Sequence, residues 1–111
     1  MPWRIRKVIG IIDEKYNKNI CLNEVCKECS LSKSRFCELF RQETHQSFKK
    51  YLKKLRIKKA KEFIVDETLN IKQISYMVGY RSLPSFCRDF KKEIGLTPSE
   101  YRMRIENRKT G

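Results

Sequence analysis

An internal repeat constrains this chain more than any other feature. Leu22-x-x-Val25-Cys26 returns about fifty positions later as Ile71-x-x-Ile74-Ser75, and Phe36-Cys37-x-x-Phe40 returns as Phe86-Cys87-x-x-Phe90. The second spacing is one residue longer than the first. The extra residue falls in the turn between the paired segments, where insertions are tolerated. Each copy reads as a short helix, a tight turn and a capped second helix, the pattern of a helix-turn-helix. At 111 residues the chain has room for one compact domain, or for two small lobes sharing a core.

The remaining segments are helical too, with no convincing strand. Ile5, Val8, Ile9, Ile12 and Tyr16 recur at three- and four-residue steps, an amphipathic helix opened by Pro2 and ended by Asn17 and Asn19. Gly10 within it is a mild penalty of about 1 kcal/mol relative to Ala. Leu22, Val25, Cys26 and Cys29 share one side of the next short helix, and Ser32 caps a helix whose inner face is Phe36, Leu39 and Phe40. Ser47 opens a long segment with Phe48, Leu52, Leu55 and Phe63 on one face and Ala60 beside them. Lys59 shares that stripe, with its stem along the core and its head in water.

Asn70 with Gln73 is a capping box for a helix through Val78, and Gly79 supplies the turn that follows. Ser82 caps a helix with Phe86 and Phe90 inward, and Gly95 ends it. Thr97-Pro98-Ser99-Glu100 starts the last helix, and the polar tail after Ile105 is expected to fray. Residues 1–46 then form a first lobe, 47–66 a linker helix and 67–111 a second lobe.

An ordinary helical bundle also shows paired amphipathic helices, so charge matters here. Lys and Arg total 26 against 13 Asp and Glu, a formal net charge of +13. That excess points to a polyanionic partner, nucleic acid or an acidic membrane face. Nothing spans a membrane: Val8-Ile9-Gly10-Ile11-Ile12 is broken by Asp13-Glu14, far short of the ~20 apolar residues a spanning helix needs. Arg4, Arg6 and Lys7 look faintly like the start of a signal peptide, but no small-residue cleavage site follows. Five cysteines, an odd number, favour a reducing, cytoplasmic setting over a disulfide framework.

Several motifs together carry a family resemblance. Leu22-x-x-Val25-Cys26, Ser32-x-x-x-Phe36-x-x-x-Phe40, Tyr51-x-x-x-x-Arg56-x-x-x-Ala60, Ile74-Ser75-x-x-Val78-Gly79-Tyr80 and Phe86-x-Arg88-x-Phe90-Lys91 are similar to the signature of AraC/XylS-type transcription regulators. So is the closing Gly95-Leu96-Thr97-Pro98-Ser99-Glu100-Tyr101-Arg102, and the match runs from about Ile5 to Ile105. The resemblance implies an all-α domain of about seven helices, with two helix-turn-helix lobes joined by a long central helix. It further implies one recognition helix per lobe, inserted into adjacent major grooves on one face of DNA, a spacing of roughly 34 Å.

Helical phase places the exposed side chains of those helices. With Phe36 and Phe40 inward, Ser34, Cys37, Glu38 and Arg41 face outward; with Phe86 and Phe90 inward, Pro84, Cys87, Arg88 and Lys91 do. The family's base-reading positions fall on the same faces, which makes Ser34, Arg35, Cys37, Glu38, Leu83, Pro84, Ser85, Cys87 and Arg88 the base-reading candidates. Arg88 matches guanine O6 and N7 bidentately; a phosphate contact or a surface salt bridge is its other reading. Glu38 stands where an arginine is common in the family. It either accepts from cytosine N4 or pairs internally with Arg41 or Arg35. Leu83 and Pro84 replace polar readers. Apolar contact with a thymine methyl is one use, and Pro84 as a helix starter is another. Ser34 and Cys37 suit van der Waals fit or water-mediated reading.

For phosphates, the candidates are the capping residues Ser32 and Ser82, whose helix N-termini favour anions, together with Lys33, Arg41, Arg81 and Lys91. Lys49, Lys50, Lys53, Lys54, Lys58, Lys59 and Lys61 circle the middle helix and read mostly as solvated charge, whereas Arg56 matches a family position suited to an internal polar contact. Cys26-x-x-Cys29 with Cys21 and Cys37 nearby superficially suggests zinc. Cys26 and Cys29 project to the buried side, however, and no second C-x-x-C pair completes a site, so no metal or other cofactor is expected. Cys37 and Cys87, at equivalent groove-facing positions, are open to oxidation or inert. His45 replaces the family's usual turn glycine and reads as a substitution the backbone tolerates, not a catalytic base. No nucleophile–base–orienter set or glycine-rich phosphate loop is visible, which argues against an enzyme.

The favoured reading is a sequence-specific regulator of bacterial type that binds double-stranded DNA at a promoter operator. Activation is the commonest role in this family, and RNA polymerase is an expected partner. A thiol- or metal-responsive sensor with secondary DNA binding, and a nonspecific basic binder of nucleic acid or anionic lipid, are the other two readings. No effector domain fits beside two lobes in 111 residues. A stand-alone regulator and the C-terminal domain of a larger one are both compatible, with the second favoured because most of the family carries a further domain.

Overall fold

The structure is a computed structural model; it describes residues 3–110, with side chains through Arg108. Among these residues there are seven helices and no strand: α1 (Trp3–Lys15), α2 (Leu22–Glu28), α3 (Lys33–Thr44), α4 (Phe48–Ile64), α5 (Ile71–Met77), α6 (Leu83–Ile94) and α7 (Pro98–Thr110). Pro2, the expected opener of α1, lies outside the described residues. Packing divides the chain into two units, Met1–Leu55 and Arg56–Gly111, with the boundary inside α4.

In the first unit Ile5, Val8 and Ile12 of α1 bury the expected stripe together with Val25, Cys26, Cys29, Phe36 and Phe40. Four rings form a contiguous cluster against this core. Phe36 lies 5.7 Å from Phe40, and Phe48 lies 5.9 Å and 5.8 Å from these two. Tyr51 meets Phe40 edge-on at 5.4 Å. The carbonyl end of α2 has lost its intrahelical donors, and α1 supplies replacements: Arg4 Nε donates to the Cys29 carbonyl at 3.1 Å and Lys7 Nζ to that of Glu28 at 3.4 Å.

The second unit repeats the plan with a different ring ladder. Tyr80, Phe86, Phe90 and Tyr101 follow one another at 5.4, 5.7 and 5.7 Å. Ile57, Ala60, Ile64, Ile74, Val78 and Pro98 are buried in this unit, as is the polar Ser75. Both capping boxes form. Asn70 and Gln73 exchange side-chain bonds with each other's backbone at 2.7 and 2.8 Å, and Thr97 and Glu100 do so at 3.1 and 3.0 Å. Arg102, from the closing motif, places its guanidinium on the Ile64 carbonyl at 3.2 and 3.1 Å and reaches the Asp66 carbonyl at 3.1 Å. It thereby satisfies the C-terminus of α4 with a cation, which the helix dipole also favours.

Two expectations need correction. The single stripe expected along α4 is two faces. Phe48, Tyr51, Leu52 and Leu55 pack on the first core, whereas Ile57, Ala60 and Ile64 are the buried residues of the second half. At about 100° per residue the two sets lie roughly half a turn apart, so Phe63 ends up only half-buried. Lys59 is half-buried too, with its head 3.8 Å from Glu62. The tail beyond Ile105 is helical through Thr110, because a polar run without Pro or Gly keeps adequate helix propensity.

The repeat extends to individual backbone bonds. After α2, Ser30 N–H reaches the Lys27 carbonyl at 3.1 Å and Leu31 N–H that of Cys26 at 3.0 Å; after α5, Gly79 and Tyr80 bond to Tyr76 and Ser75 at 3.1 and 3.0 Å. Arg81 is the extra residue of the second turn. Each turn needs one left-handed residue, Ser30 (φ 55°) or Gly79 (φ 100°), and each following helix ends on another, His45 (φ 61°) or Gly95 (φ 91°). A side chain in that region is strained by about 1–2 kcal/mol, part of which glycine's greater freedom in the unfolded chain offsets. His45→Gly is therefore expected to stabilise the first unit by about 0.5–1 kcal/mol, raising its urea midpoint at unchanged slope.

Candidate nucleic-acid interface

The two helices that follow the tight turns, α3 and α6, carry the sequence-derived candidates. Both begin on a serine in extended conformation. Ser32 Oγ accepts from Arg35 N–H at 3.2 Å, and Ser82 Oγ accepts from Ser85 N–H at 3.4 Å. Capping leaves the earliest amides of a helix pointing outward without intrahelical acceptors. In α3 those belong to Lys33 and Ser34, whereas in α6 Pro84 has no N–H to offer. The N-terminus of α3 is therefore the better equipped of the two for an anion.

On α3, Ser32, Lys33, Ser34, Arg35, Cys37, Glu38 and Arg41 are all exposed, as the inward Phe36 and Phe40 require. Glu38 Oε1 lies 3.4 Å from Arg35 Nη1, with both side chains more than half exposed (58% and 53%). The pairing with Arg35 read from the sequence is thus present. An exposed pair of this kind contributes about 0–1 kcal/mol, so either partner is easily released to another ligand. Cys37, Glu38, Arg41 and Gln42 line a shallow groove along the helix. Gln42 is absent from the sequence-derived candidates, although its position one turn beyond Glu38 was the available signal.

The α6 surface is less uniform. Arg81, Pro84, Arg88 and Lys91 are exposed, whereas Ser82, Leu83, Ser85 and Cys87 are half-buried. Ser85 is engaged within the cap, its hydroxyl accepting from Ser82 Oγ–H at 2.9 Å. Leu83 stands on the inner flank of the phenylalanine stripe, where helical phase puts it. Cys37 and Cys87 are not equivalent in exposure: Cys37 is open, whereas burial pushes the Cys87 thiol up from its ordinary range. A raised thiol holds less thiolate and is the less readily oxidised. Arg88 is the most exposed of the charged base-reading candidates, 74% free, with Nε 3.7 Å from Asp89 Oδ1.

Cys26 and Cys29 sit in the first core, their thiols raised chiefly by burial. Among the described residues no cluster of three or more His, Cys, Asp or Glu side chains is arranged to hold a metal ion. None of the described helices is long and apolar enough to cross a membrane. Arg56 is half-buried, and its guanidinium stands 5.9 Å from the Tyr80 ring centre, the internal contact the motif implied.

Two helix-turn-helix units, each presenting a capped and basic second helix, define the class. Residues 25–104 match the helix-turn-helix domain family. The Msm operon regulatory protein of Streptococcus mutans serotype c is 31% identical over 103 residues, which cover 93% of this chain and 37% of that protein. The C-terminal domain of the response regulator AraT from Geobacillus stearothermophilus superposes with a TM-score of 0.86 at 28% identity, covering 91% of this chain and 84% of that one. The DNA-binding domain of AdpA, solved in complex with a target DNA, shares the fold, with a TM-score of 0.88 at 18% identity over 94% of each chain. The chain belongs to the AraC-type family of helix-turn-helix proteins. It spans about a third of the length of the curated relatives it matches.

Proposed function

We propose that this chain is the DNA-binding region of a bacterial transcription regulator, reading a promoter operator in double-stranded DNA. Each unit inserts its second helix, α3 or α6, into a major-groove segment, and the two segments are adjacent on the duplex. The observation that carries this reading is the repeated architecture: a serine-capped helix with two buried phenylalanines and an exposed polar face, built twice in a chain of net charge +13. Arg88 reads a guanine, and Ser34, Arg35, Cys37, Glu38 and Pro84 contact base edges. Leu83, Ser85 and Cys87, being half-buried, contribute by fit at the groove wall. Ser32, Lys33, Arg41, Arg81, Ser82 and Lys91 hold phosphates.

Family likeness supports activation as the regulatory mode, a contact with RNA polymerase, a cytoplasmic setting and an effector region elsewhere in a longer protein. Selection of sites from random duplex DNA tests the central claim. The chain should enrich one motif and bind it about a thousandfold or more over scrambled duplex at fixed salt. A ratio below about ten would reduce the binding to charge alone, which is nearly blind to sequence.

Glu38→Ala separates attraction from reading in the first unit. Removing a carboxylate near phosphates, and freeing Arg35, should tighten binding to scrambled duplex about two- to fivefold at low salt, an effect that fades as salt screens it. If Glu38 accepts from cytosine, the same variant loses preference at one base pair; fluorescence anisotropy on matched and single-base-changed sites reads both quantities.

A further inference from the structure

Arg88 does not stand on α6 alone. Its neighbour Asp89 is only 12% exposed, and the two carboxylate oxygens of Asp89 face different partners. Oδ2 accepts from the Tyr80 hydroxyl at 2.9 Å, and Oδ1 lies 3.7 Å from Arg88 Nε. Tyr80 belongs to the turn between α5 and α6. Its ring is fixed from two directions, 5.4 Å from Phe86 and 5.9 Å from the Arg56 guanidinium. The result is a chain of contacts that begins in the packed core and ends on the exposed reading arginine.

Resting on the base-reading role given to Arg88 above, we infer that Tyr80 and Asp89 are positioning residues that set which edge of the Arg88 guanidinium meets the base. A guanidinium presents either its Nε–Nη edge or its Nη1–Nη2 end to an acceptor pair. A carboxylate anchored beside Nε occupies the first and leaves the second for guanine O6 and N7. At 3.7 Å the contact is an ion pair and not a hydrogen bond. In the free protein it biases a long, exposed side chain without locking it, and it reduces the rotamer freedom lost on binding. The anchor itself is well held: burial and the bond to Asp89 raise the Tyr80 hydroxyl far above its ordinary range, so it remains a donor at any working pH.

Electrostatics alone predicts the opposite consequence, which makes the inference testable. A carboxylate on a helix that faces DNA repels phosphates, so removing it should strengthen binding to every duplex alike. Positioning predicts that base preference falls even as nonspecific affinity rises.

The experiment uses the 111-residue chain, its selected site and that site's single-base variants, with wild type, Arg88→Ala, Asp89→Asn, Tyr80→Phe and the two doubles with Arg88→Ala. Arg88→Ala first identifies the base pair it reads. At that pair Asp89→Asn and Tyr80→Phe should each lower the preference about three- to tenfold. Asp89→Asn should bind scrambled duplex as well as wild type or better, and Tyr80→Phe, which keeps the charge, should bind it equally. In the Arg88→Ala background neither change should move the preference further. If Arg88→Ala erases a preference that both single variants retain, the positioning role is overturned and the reading role stands. A loss uniform across sequences, accompanied by a lowered melting temperature, also overturns it, since Tyr80 and Asp89 would then serve only the fold. If Arg88→Ala alters no preference, the reading role itself fails and the inference falls with it.

Discussion

Phe90→Ala is expected to destabilise the second unit by about 3–5 kcal/mol, the usual cost of removing a fully buried aromatic ring and leaving a cavity. Phe90 has no exposed surface and sits mid-ladder, 5.7 Å from Phe86 on its own helix and 5.7 Å from Tyr101 on α7. Its removal therefore takes away two aromatic contacts as well as apolar burial. α6 depends on that ring for its anchorage, and Arg88 and Lys91 ride on the opposite side of the same turns. A small domain has about 5–10 kcal/mol of stability in total. The variant should accordingly lose most of its folded second unit near physiological temperature, and DNA affinity with it. Urea denaturation followed by far-UV circular dichroism reads the loss. A midpoint unchanged from wild type would mean that Phe90 is not a core residue and that the phase assigned to α6 is wrong.

That phase was legible because α3 and α6 each carry two phenylalanines four residues apart, and two points suffice to orient a helix. Glu38 and Arg88 lie about half a turn from the mean direction of those rings, and both are exposed. Caps were legible for a different reason: a capping box is a contact between residues three apart, so Asn70–Gln73 and Thr97–Glu100 need no tertiary information. α4 shows where such reasoning stops. Its two halves serve two cores, and one averaged stripe selected Phe63 while passing over Ile57 and Ile64, which are the buried residues. At α6 the resemblance supplies Leu83 and Ser85 as base-reading candidates without their phase; Leu83 lies on the inner flank and Ser85 is tied to Ser82, so both stand half-buried.

Of the contacts around Arg88, a surface salt bridge was legible, whereas the bond that anchors its partner Asp89 was not. Tyr80 and Asp89 are nine residues apart across a turn and a cap, and no periodicity links them; only the folded turn brings the hydroxyl to the carboxylate. The bonds Arg102 makes to the end of α4 are longer-range still, 38 and 36 residues away, and they come from a motif whose sequence signal speaks only of the start of α7. Short-range order was therefore readable residue by residue, and the interactions that hold a reading side chain in place were not.

Arg88→Ala and Lys91→Ala should separate sequence reading from charge within one helix. Both side chains are exposed on α6 and differ by less than one turn, so nonspecific loss of structure would affect them alike. Arginine presents a planar fork that matches two guanine acceptors, whereas lysine is a compact, strongly hydrated point charge that suits a phosphate at any sequence. Arg88→Ala should thus remove about 1–3 kcal/mol of discrimination at one base pair under the second unit, leaving preference elsewhere in the site intact. Lys91→Ala should weaken the selected site and its single-base variants by the same factor and reduce the slope of log K against log salt by about 0.9, one phosphate's worth. Titrations at several salt concentrations against the selected site and its variants give both quantities for each protein. A uniform loss for Arg88→Ala, with a salt slope reduced like that of Lys91→Ala, would make it a phosphate clamp and leave the base reading of the second unit to Pro84 and the groove-wall residues beside it.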